Sequence, residues 1–325
     1  MKIAYVMDPL EKIDPTWETT SAFMYECNQR GHDIFFFEPH DFYIKENKVM
    51  ARMKYITTTK DMPLSSYWER IKLEAQKEER IFEDVKDLDV IFTRKDPPLD
   101  FRMVSYLRLV KDDVLVINDV DGQVRANNKL YMLSFPDIIP ETHVSKDPQR
   151  LRKIIDEFGG DMIMKPLDSY GGFGVIKISK KDPENLNSLL NFYVDQYKPY
   201  SERKSVIVQE YLSIAKKGDK RILLLNGEIL GAMRRIPRKG EVRANIHATA
   251  GFSKCNITKK DMDLCNKLKK KLVVDGLYFV GIDVIGDKII EINCISPGGI
   301  PRINKLYNVN LERDVISFIE EKVEK

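Results

Sequence analysis

The stretch that decides the fold reads Gly281-Ile282-Asp283-Val284-Ile285-Gly286-Asp287-Lys288-Ile289-Ile290-Glu291-Ile292-Asn293. Two apolar strands meet here at a polar turn, and carboxylates interrupt positions where a buried strand is expected to stay apolar. Glu291 and Asn293 are two residues apart, so they share one face of their strand. An odd-length turn at 286–288 brings Asp283 opposite Glu291 on that face, whereas a two-residue turn puts these carboxylates on opposite faces.

Three oxygen donors on one sheet face suit a hard cation such as Mg²⁺, which usually shares its coordination with nucleotide phosphates. The alternative is a pair of carboxylates on an edge strand in water. The isoleucines at 289, 290 and 292 favour an interior strand and therefore the metal site. The sequence thus predicts metal ligation by Asp283, Glu291 and Asn293.

A glycine-rich loop follows Lys165 and joins two apolar strands predicted at 161–167 and 175–179. Glycines let backbone N–H groups approach phosphate oxygens, and a lysine at a strand end supplies positive charge. The loop joins strand to strand and lacks the ending of a P-loop, which must open a helix. It predicts a cover over phosphates, with a glycine-rich hairpin turn as the alternative. The predicted contacts are Lys165, Ser169, Tyr170, Gly171 and Gly172.

Two further segments carry polar groups near strand ends. The strand at 205–211 turns polar at its end, where backbone groups are able to pair with adenine, and 218–221 offers charges for phosphates or substrate. Residues 234–245 are dense in cations, which repel one another unless anions separate them. Polar strand ends and solvated surface charges are common, so both segments have an ordinary structural interpretation. Small residues at 248–251 favour a mobile lid.

The composition of the 325-residue chain limits the classes of protein to consider. This length suits two or three linked subdomains. A formal net charge of +3 does not indicate a nucleic-acid or polybasic membrane surface. No apolar run approaches the roughly 18 residues that a membrane helix requires. Four dispersed cysteines without a C-x-x-C motif favour a reducing cytoplasm over a disulfide framework or zinc site.

Strand and helix signals alternate over residues 1–120 and predict a small parallel α/β sheet. The predicted strands lie at 2–7, 33–37, 89–93 and 114–117, and the predicted helices at 17–30 and 101–110. No Gly-x-Gly-x-x-Gly follows the first strand, so a Rossmann-like shape does not imply NAD. The mixed-sign charge run at 69–87 predicts a solvated amphipathic helix.

The pattern changes to α+β from about residue 121. A helix at 121–134 begins a central subdomain, predicted over 121–198, that contains the glycine-rich loop. A C-terminal subdomain is predicted over 199–325. Its strands are expected at 205–211, 220–225, 228–235, 278–285 and 289–295, and its helices near 258–274 and 310–324.

Taken in order, these segments resemble bacterial glutathione synthetases over essentially the whole chain. Several motifs in the right order are more specific than any one of them. The matching strings are Val6-Met7-Asp8-Pro9, Arg94-Lys95-Asp96-Pro97-Pro98, Lys165-Pro166-Leu167-Asp168, Gly218-Asp219-Lys220-Arg221, Arg235-Ile236-Pro237, Phe279-Val280-Gly281-Ile282-Asp283 and Glu291-Ile292-Asn293.

This resemblance implies an ATP-grasp fold with an N-terminal Rossmann-like domain. It implies ATP and two Mg²⁺ ions, with Mn²⁺ as an alternative, small-molecule substrates and a symmetric homo-oligomer. Arg221, Arg235 and Arg243 would be catalytic, and Asp283, Glu291 and Asn293 would hold the metals. Arg243 and its flanking residues 238–251 would form the lid. The implied nucleotide contacts add Lys129, Gln209, Glu210, Tyr211, Leu212, Asp219 and Lys220 to the glycine-loop residues. The implied substrate contacts are Asp8, Arg94, Asn245, Ser296, Gly298 and Gly299.

The implied reaction joins γ-glutamylcysteine to glycine through an acyl phosphate and yields glutathione, ADP and phosphate. The sequence departs from the family at 294–300, where those enzymes usually have Thr-Ser-Pro-Thr, and in the Ala-Thr-Ala of the lid at 248–250. Because both departures lie where substrates should bind, an ATP-grasp ligase for another pair of substrates is an alternative. A nucleotide-binding regulatory protein without turnover is another, although it has little need for paired metal ligands.

Overall fold

A computed structural model describes residues 1–57, 60–76, 80–179, 183–238 and 249–325. The described chain forms one mixed sheet and two antiparallel sheets. None of the helices in these ranges is long and apolar enough to span a bilayer.

The N-terminal unit is built on a sheet of mixed direction. Its elements are β1 (Lys2–Met7), α1 (Thr19–Arg30), β2 (Asp33–Phe37), β3 (Phe42–Lys45), β4 (Lys48–Ile56), α2 (Leu64–Gln76), β5 (Ile81–Asp84), β6 (Val90–Arg94), α3 (Phe101–Arg108) and β7 (Leu115–Ile117). Strands β2, β1, β6 and β7 run parallel in that order, which confirms the predicted strands. Strand β4 extends the sheet antiparallel to β2 and also pairs with β3 and β5.

The helix predicted over 69–87 is wrong in its second half. Helix α2 ends at Gln76, and β5 begins at Ile81 and pairs antiparallel with β4, where Met53 lies opposite Ile81. Pairing with a neighbouring strand has outweighed the local helical pattern, because strand formation depends on cross-strand contacts that periodicity does not record.

The central unit is an antiparallel sheet with the order β10-β9-β11-β8. Its elements are α4 (Val120–Arg125), β8 (Thr142–Ser145), α5 (Pro148–Phe158), β9 (Asp161–Pro166), β10 (Ile176–Ser179), α6 (Pro183–Tyr193) and β11 (Val206–Glu210). The helix predicted over 121–134 is shorter, since a separate 3₁₀ segment follows at Lys129–Ser134. Strand β11 pairs with β8 and β9, so this sheet continues past the subdomain boundary predicted at residue 199.

The C-terminal unit is an antiparallel sheet with the order β14-β13-β12-β15-β16. Its elements are β12 (Asp219–Leu225), β13 (Glu228–Pro237), β14 (Thr249–Ser253), α7 (Lys259–Val274), β15 (Phe279–Ile285), β16 (Lys288–Asn293), α8 (Ile300–Tyr307) and α9 (Glu312–Val323). Apart from β14 and α8, which were not predicted, these strands and helices match the predicted ones closely. The interior position expected for the strand at 289–292 is wrong, because β16 is the edge strand of this sheet and pairs with β15. Its isoleucines reflect packing on the faces of the sheet and not an interior position in the strand order.

The buried hydrophobic clusters show which units pack together beneath the site. Buried residues of the N-terminal unit, such as Tyr5 and Phe23, pack in one cluster with Phe279 and Ile316 of the C-terminal unit. The central sheet instead has its own core, built around residues such as Met164 and Val208. The central sheet therefore faces a base formed jointly by the two other units.

Candidate active site

The hairpin of β15 and β16 places its two carboxylates directly opposite each other. Asp283 pairs with Glu291, as predicted. Of the two turn lengths considered, the two-residue turn is present, because Ile285 pairs with Lys288. The expectation that such a turn puts the two carboxylates on opposite faces is wrong. The register is restored by a β-bulge: Val284 pairs with Ile289, so one extra residue lies in β16.

The extra residue in this bulge is Ile290. A bulged residue leaves the regular ladder, and the Ile290 carbonyl accepts a hydrogen bond from Lys165 Nζ at 3.4 Å. Asn293 lies opposite Gly281 and shares the face of Glu291. The bulge thus both aligns the acidic face and connects it to the lysine of the opposite sheet.

A buried network of charges fixes Asp283. Arg221 Nε lies 2.6 Å from Asp283 Oδ1, and Arg235 Nη2 lies 2.8 Å from Asp283 Oδ2. Arg235 also donates to both oxygens of Asp219, at 2.7 and 2.6 Å. Strand pairing causes this arrangement, since Arg221 is opposite Asp283 and Asp219 is opposite Arg235. Two of the three predicted catalytic arginines, Arg221 and Arg235, therefore converge on one carboxylate.

The surroundings shift the pKa values of the acidic groups in different directions. Burial raises the pKa of Asp283, but Arg221 and Arg235 outweigh it and hold this pKa below its usual value. Burial, and then the charge of Asp283, raise the pKa of Glu291 despite the opposing lysines. Burial also raises the pKa of Asp219 against the effect of Arg235. The charged form of Glu291 is therefore disfavoured by its surroundings, and a cation bound beside it would favour that form.

Lys129 and Lys165 lie across from this acidic face. Lys165 Nζ donates to Gln209 Oε1 at 3.0 Å, and Gln209 Nε2 donates to Thr142 Oγ1 at 2.7 Å. Lys129 Nζ lies 4.0 Å from Glu291 Oε1. Burial lowers the pKa of both lysines, that of Lys165 to about 8. Each amine is thus held in a position where an anion would favour its charged form.

The glycine-rich loop closes over Lys129. Lys129 Nζ donates to the carbonyl oxygen of Ser169 and lies 3.3 Å from its Oγ. Gly171 and Gly172 have φ of 61° and 72°, a left-handed conformation that side chains other than glycine rarely adopt. Tyr170 at the tip is 46% exposed. The loop, the lysine and Glu291 therefore meet at one point.

Two connected cavities meet at this point. The first lies between the central and C-terminal sheets, and the predicted adenine residues line it: Gln209, Glu210, Tyr211 and Leu212. The second is a cleft of about 940 Å³ bordered by the N-terminal unit. Lys129, Ser169 and Glu291 line both cavities. This geometry suits a nucleotide whose phosphates reach a second substrate.

Three of the six predicted substrate residues lie along the second cleft. Asp8, Ser296 and Gly298 line it directly. Asp8 Oδ2 accepts a hydrogen bond from the backbone N–H of Asp96 at 2.9 Å. Gly299 is the N-cap residue of α8 and donates its N–H to Thr19 Oγ1 at 3.0 Å. This hydrogen bond joins the start of the helix to the N-terminal unit.

Arg94 lies behind the wall of the cleft. Its Nη1 donates to the Pro297 carbonyl at 3.2 Å and its Nε to Thr20 Oγ1 at 3.0 Å. The guanidinium is packed among the rings of Phe23, Phe92 and Phe279. The structure therefore gives Arg94 a positioning role for segment 296–298 instead of the substrate contact expected from the sequence.

Lys220 points away from the nucleotide cavity. Side chains alternate along β12, so Asp219 lines the nucleotide cavity, Arg221 lines the adjoining cleft, and Lys220 faces the opposite side. There Lys220 Nζ pairs with Asp261 and donates to the Asn256 carbonyl at 3.1 Å. Asp261 belongs to the capping box of α7. The predicted nucleotide contact by Lys220 is thus wrong in this structure, and the residue stabilises a helix start.

Two predicted residues and the lid lie elsewhere. Arg243 and Asn245 fall outside the described residues, as does most of the proposed lid at 238–251. Sequence reasoning also missed Glu18 and Asp96, which line the second cleft. Asp96 follows the end of β6, and ligands of α/β sheets bind at the carboxyl ends of parallel strands. That rule could have identified it.

Comparison with known proteins assigns the family. The family model for the N-terminal domain of prokaryotic glutathione synthetase matches residues 1–125, and the model for its ATP-grasp domain matches 128–308. The chain belongs to the prokaryotic glutathione synthetase family. The glutathione synthetase of Synechocystis sp. is 34% identical over 99% of this chain and 100% of its own length. That of Brucella melitensis biotype 1 is 33% identical over 96% of each chain.

Solved structures share the fold at low sequence identity. A RiPP-associated ATP-grasp ligase from Chryseobacterium gregarium, in complex with ADP and a leader and core peptide, has a TM-score of 0.64 at 14% identity, covering 99% of this chain and 97% of that one. The D-cycloserine synthetase DcsG has a TM-score of 0.63 at 10% identity, with coverages of 98% and 100%. The predicted glutathione synthetase family, ATP-grasp fold and ATP-dependent ligase class are thereby confirmed.

Proposed function

We propose that this protein joins the cysteinyl carboxylate of γ-glutamylcysteine to the amine of glycine, with ATP as the energy source. The observation that carries the proposal is the meeting of three parts at Lys129: its amine contacts Ser169 of the glycine-rich loop and lies 4.0 Å from Glu291. A carboxylate is a poor electrophile, so a ligase must place it against the terminal phosphate of a nucleotide. The cleft beside Lys129 provides that place.

The nucleotide would occupy the cavity between the central and C-terminal sheets. Its adenine would lie against residues 209–212 at the end of β11. Its phosphates would extend toward Lys165 and Lys129 under the glycine-rich loop. Because burial disfavours the charge of both lysines, phosphate oxygens next to them restore a stabilising counter-charge.

The acidic face fits a magnesium site. Asp283 is paired with Arg221 and Arg235 but keeps lone pairs on both carboxylate oxygens. Asn293 Nδ2 is buried without a hydrogen-bond partner, so the amide is able to turn and present its oxygen to a cation. Among the described residues, no three His, Cys, Asp or Glu side chains gather to hold a metal alone. The phosphates must therefore supply further ligands, as is usual for Mg²⁺. We propose Asp283, Glu291 and Asn293 as the ligands of two ions, Mg²⁺ or Mn²⁺, which would neutralise charge on the phosphates.

The reaction follows in two balanced steps. An oxygen of the cysteinyl carboxylate attacks the γ-phosphorus of ATP, and the bond from that phosphorus to the bridging oxygen breaks to release ADP. The glycine amine then attacks the acyl carbon, the tetrahedral intermediate expels phosphate, and the amine proton passes to solvent. The first step thus forms an acyl phosphate and the second a tetrahedral intermediate. Arg221, which lines the substrate cleft, would stabilise the negative charge of both.

Arg235 would act mainly by position. It is 1% exposed and is held by Asp219 and Asp283, whose charges raise its pKa although burial alone would lower it. Fixed in this way, it keeps Asp283 oriented toward Arg221. Preorganised charges of this kind avoid reorganisation during the reaction. The lid around Arg243, with Asn245, is proposed to exclude water from the acyl phosphate.

The experiment is ADP release measured over a panel of acids and amines, with product masses. We expect release that requires both γ-glutamylcysteine and glycine, and a product with the mass of glutathione. Release with a different pair would assign another substrate to the same ligase site. ATP binding without release for any pair would instead support a regulatory nucleotide-binding protein. We also propose that the protein is cytoplasmic and that it forms a homo-oligomer. Sedimentation velocity would test the oligomeric state.

A further inference from the structure

Arg302 occupies an unusual position in the substrate cleft. It lies on α8, three residues after Gly299, and lines the cleft. Its guanidinium carbon is 5.2 Å from the ring centroid of Trp17 and 4.9 Å from that of Phe252. Nη1 donates to the Trp17 carbonyl at 3.2 Å. Since two rings contact the guanidinium, its planar N–H edge remains for a bidentate partner.

In the part of the chain that the structure describes, this guanidinium forms no ion pair. Within the described ranges, no carboxylate lies within 4.0 Å of Arg302, and the Trp17 carbonyl is its hydrogen-bond acceptor. Burial lowers the pKa of Arg302, against the opposing charges of Glu18 and Asp14. A cation withdrawn from water is stabilised when an anion pairs with it, and arginine matches the geometry of a carboxylate.

Negative groups line the same cleft. Glu18 follows Trp17 in the chain, and Asp96 lies at the end of β6. Burial and the charge of Glu18 raise the pKa of Asp96. The cleft therefore presents a guanidinium and carboxylates to one molecule. An α-amino acid head, with an ammonium next to a carboxylate, complements both charges.

We propose that Arg302 binds the non-reacting α-carboxylate of the γ-glutamyl group and thereby determines the specificity for the acyl substrate. This inference rests on the proposed function. The cysteinyl carboxylate must reach the phosphates beside Lys129, so a second anion site is needed for the other end of the dipeptide. Glycine carries a carboxylate of the same chemistry, and kinetics tell the two sources apart.

The test compares Arg302→Gln with Arg150→Gln, a matched change at an exposed helical arginine. Loss of a charge-assisted hydrogen-bonded pair is expected to raise KM for γ-glutamylcysteine about 10- to 100-fold. KM for ATP and kcat should change little, and Arg150→Gln should match the unsubstituted protein. A rise in KM for glycine instead would assign the carboxylate site to glycine and overturn its assignment to the γ-glutamyl group.

A substrate analogue makes the test specific. The 4-aminobutyryl amide of cysteine retains the amine and the reacting carboxylate but lacks the α-carboxylate. The unsubstituted protein should use it about 10- to 100-fold less well than γ-glutamylcysteine, and Arg302→Gln should remove that preference. Arg302→Lys keeps the charge and the aromatic contacts, so it carries the test if the glutamine variant fails to fold, with an intermediate preference expected.

Two further outcomes overturn the inference. One is an unchanged KM for both γ-glutamylcysteine and glycine in folded Arg302 variants. The other is an equal loss of kcat/KM for the dipeptide and its analogue, which would indicate a structural role. Failure of the unsubstituted protein to form glutathione refutes the proposed function itself, and that result is distinct because it appears before any substitution is made.

Discussion

Lys165 is expected to make nucleotide binding depend on pH above neutrality. Its amine is buried between Gln209 and the Ile290 carbonyl, and burial lowers its pKa to about 8. Glu291 opposes this shift, whereas Lys129 adds to it. Phosphates beside the amine favour its charged form. ATP binding should therefore take up a proton at any pH at which Lys165 is neutral in the free protein.

The magnitude follows from this pKa. A group with a pKa of about 8 is charged in about nine molecules of ten at pH 7 and in about one of eleven at pH 9. If only the charged form binds ATP well, the apparent affinity falls about tenfold over this range, or about 1.4 kcal/mol. The sign is fixed: affinity is full below the pKa and is lost as the pH rises through it.

Calorimetry in two buffers of different ionisation enthalpy measures this proton directly. We expect an uptake of about 0.9 proton per ATP at pH 9 and about 0.1 at pH 7. Lys165→Arg keeps its charge at both pH values and should abolish the difference. Lys153→Arg, at a lysine that is 76% exposed, is the matched control. Equal uptake at pH 9 in the protein and its Lys165→Arg variant would refute the reasoning.

Three substitutions test other parts of the site. Gly281→Ala places a methyl carbon 2.6 Å from Arg221 Nη1, so kcat should fall at least about tenfold with ATP affinity retained, and an unchanged kcat would contradict the assigned position. Lys220→Ala should lower the free energy of unfolding in urea by about 1–3 kcal/mol by unpairing Asp261, without raising KM for ATP. A raised KM for ATP would indicate that Lys220 contacts the nucleotide after all. Arg235→Met removes the arginine partner of buried Asp219 and one of the two arginine partners of Asp283, so it should cost about 3–5 kcal/mol, and a loss below about 1 kcal/mol would contradict the network.

The sequence predicted the acidic face because strand periodicity is local. Glu291 and Asn293 had to share a face whatever the rest of the chain does. Their alignment with Asp283 was correct, but for a different reason. A bulge at Ile290 compensates for a two-residue turn, and nothing in an apolar run identifies which residue leaves the ladder.

The errors of the sequence-based prediction concern long-range pairing. Strand β5 follows a charged helix and forms because β4 is available to pair with it. Strand β11 pairs with β8 and β9 of the central sheet, although it follows α6 in the chain and was predicted to belong to the C-terminal subdomain. Lys220 matched a family motif, yet its neighbours Asp219 and Arg221 take the cavity face. Motif identity fixed the segment but not the direction of each side chain.

Glu291→Gln tests the central claim most directly. The claim is that the acidic face of β15 and β16 holds the divalent ions while the glycine-rich loop covers the phosphates. The substitution preserves shape and removes one charge, so glutathione formation at saturating ATP and Mg²⁺ should fall at least about 100-fold, with the melting temperature little changed. Turnover equal to that of the unsubstituted protein, with the same dependence on Mg²⁺ concentration, would contradict the account.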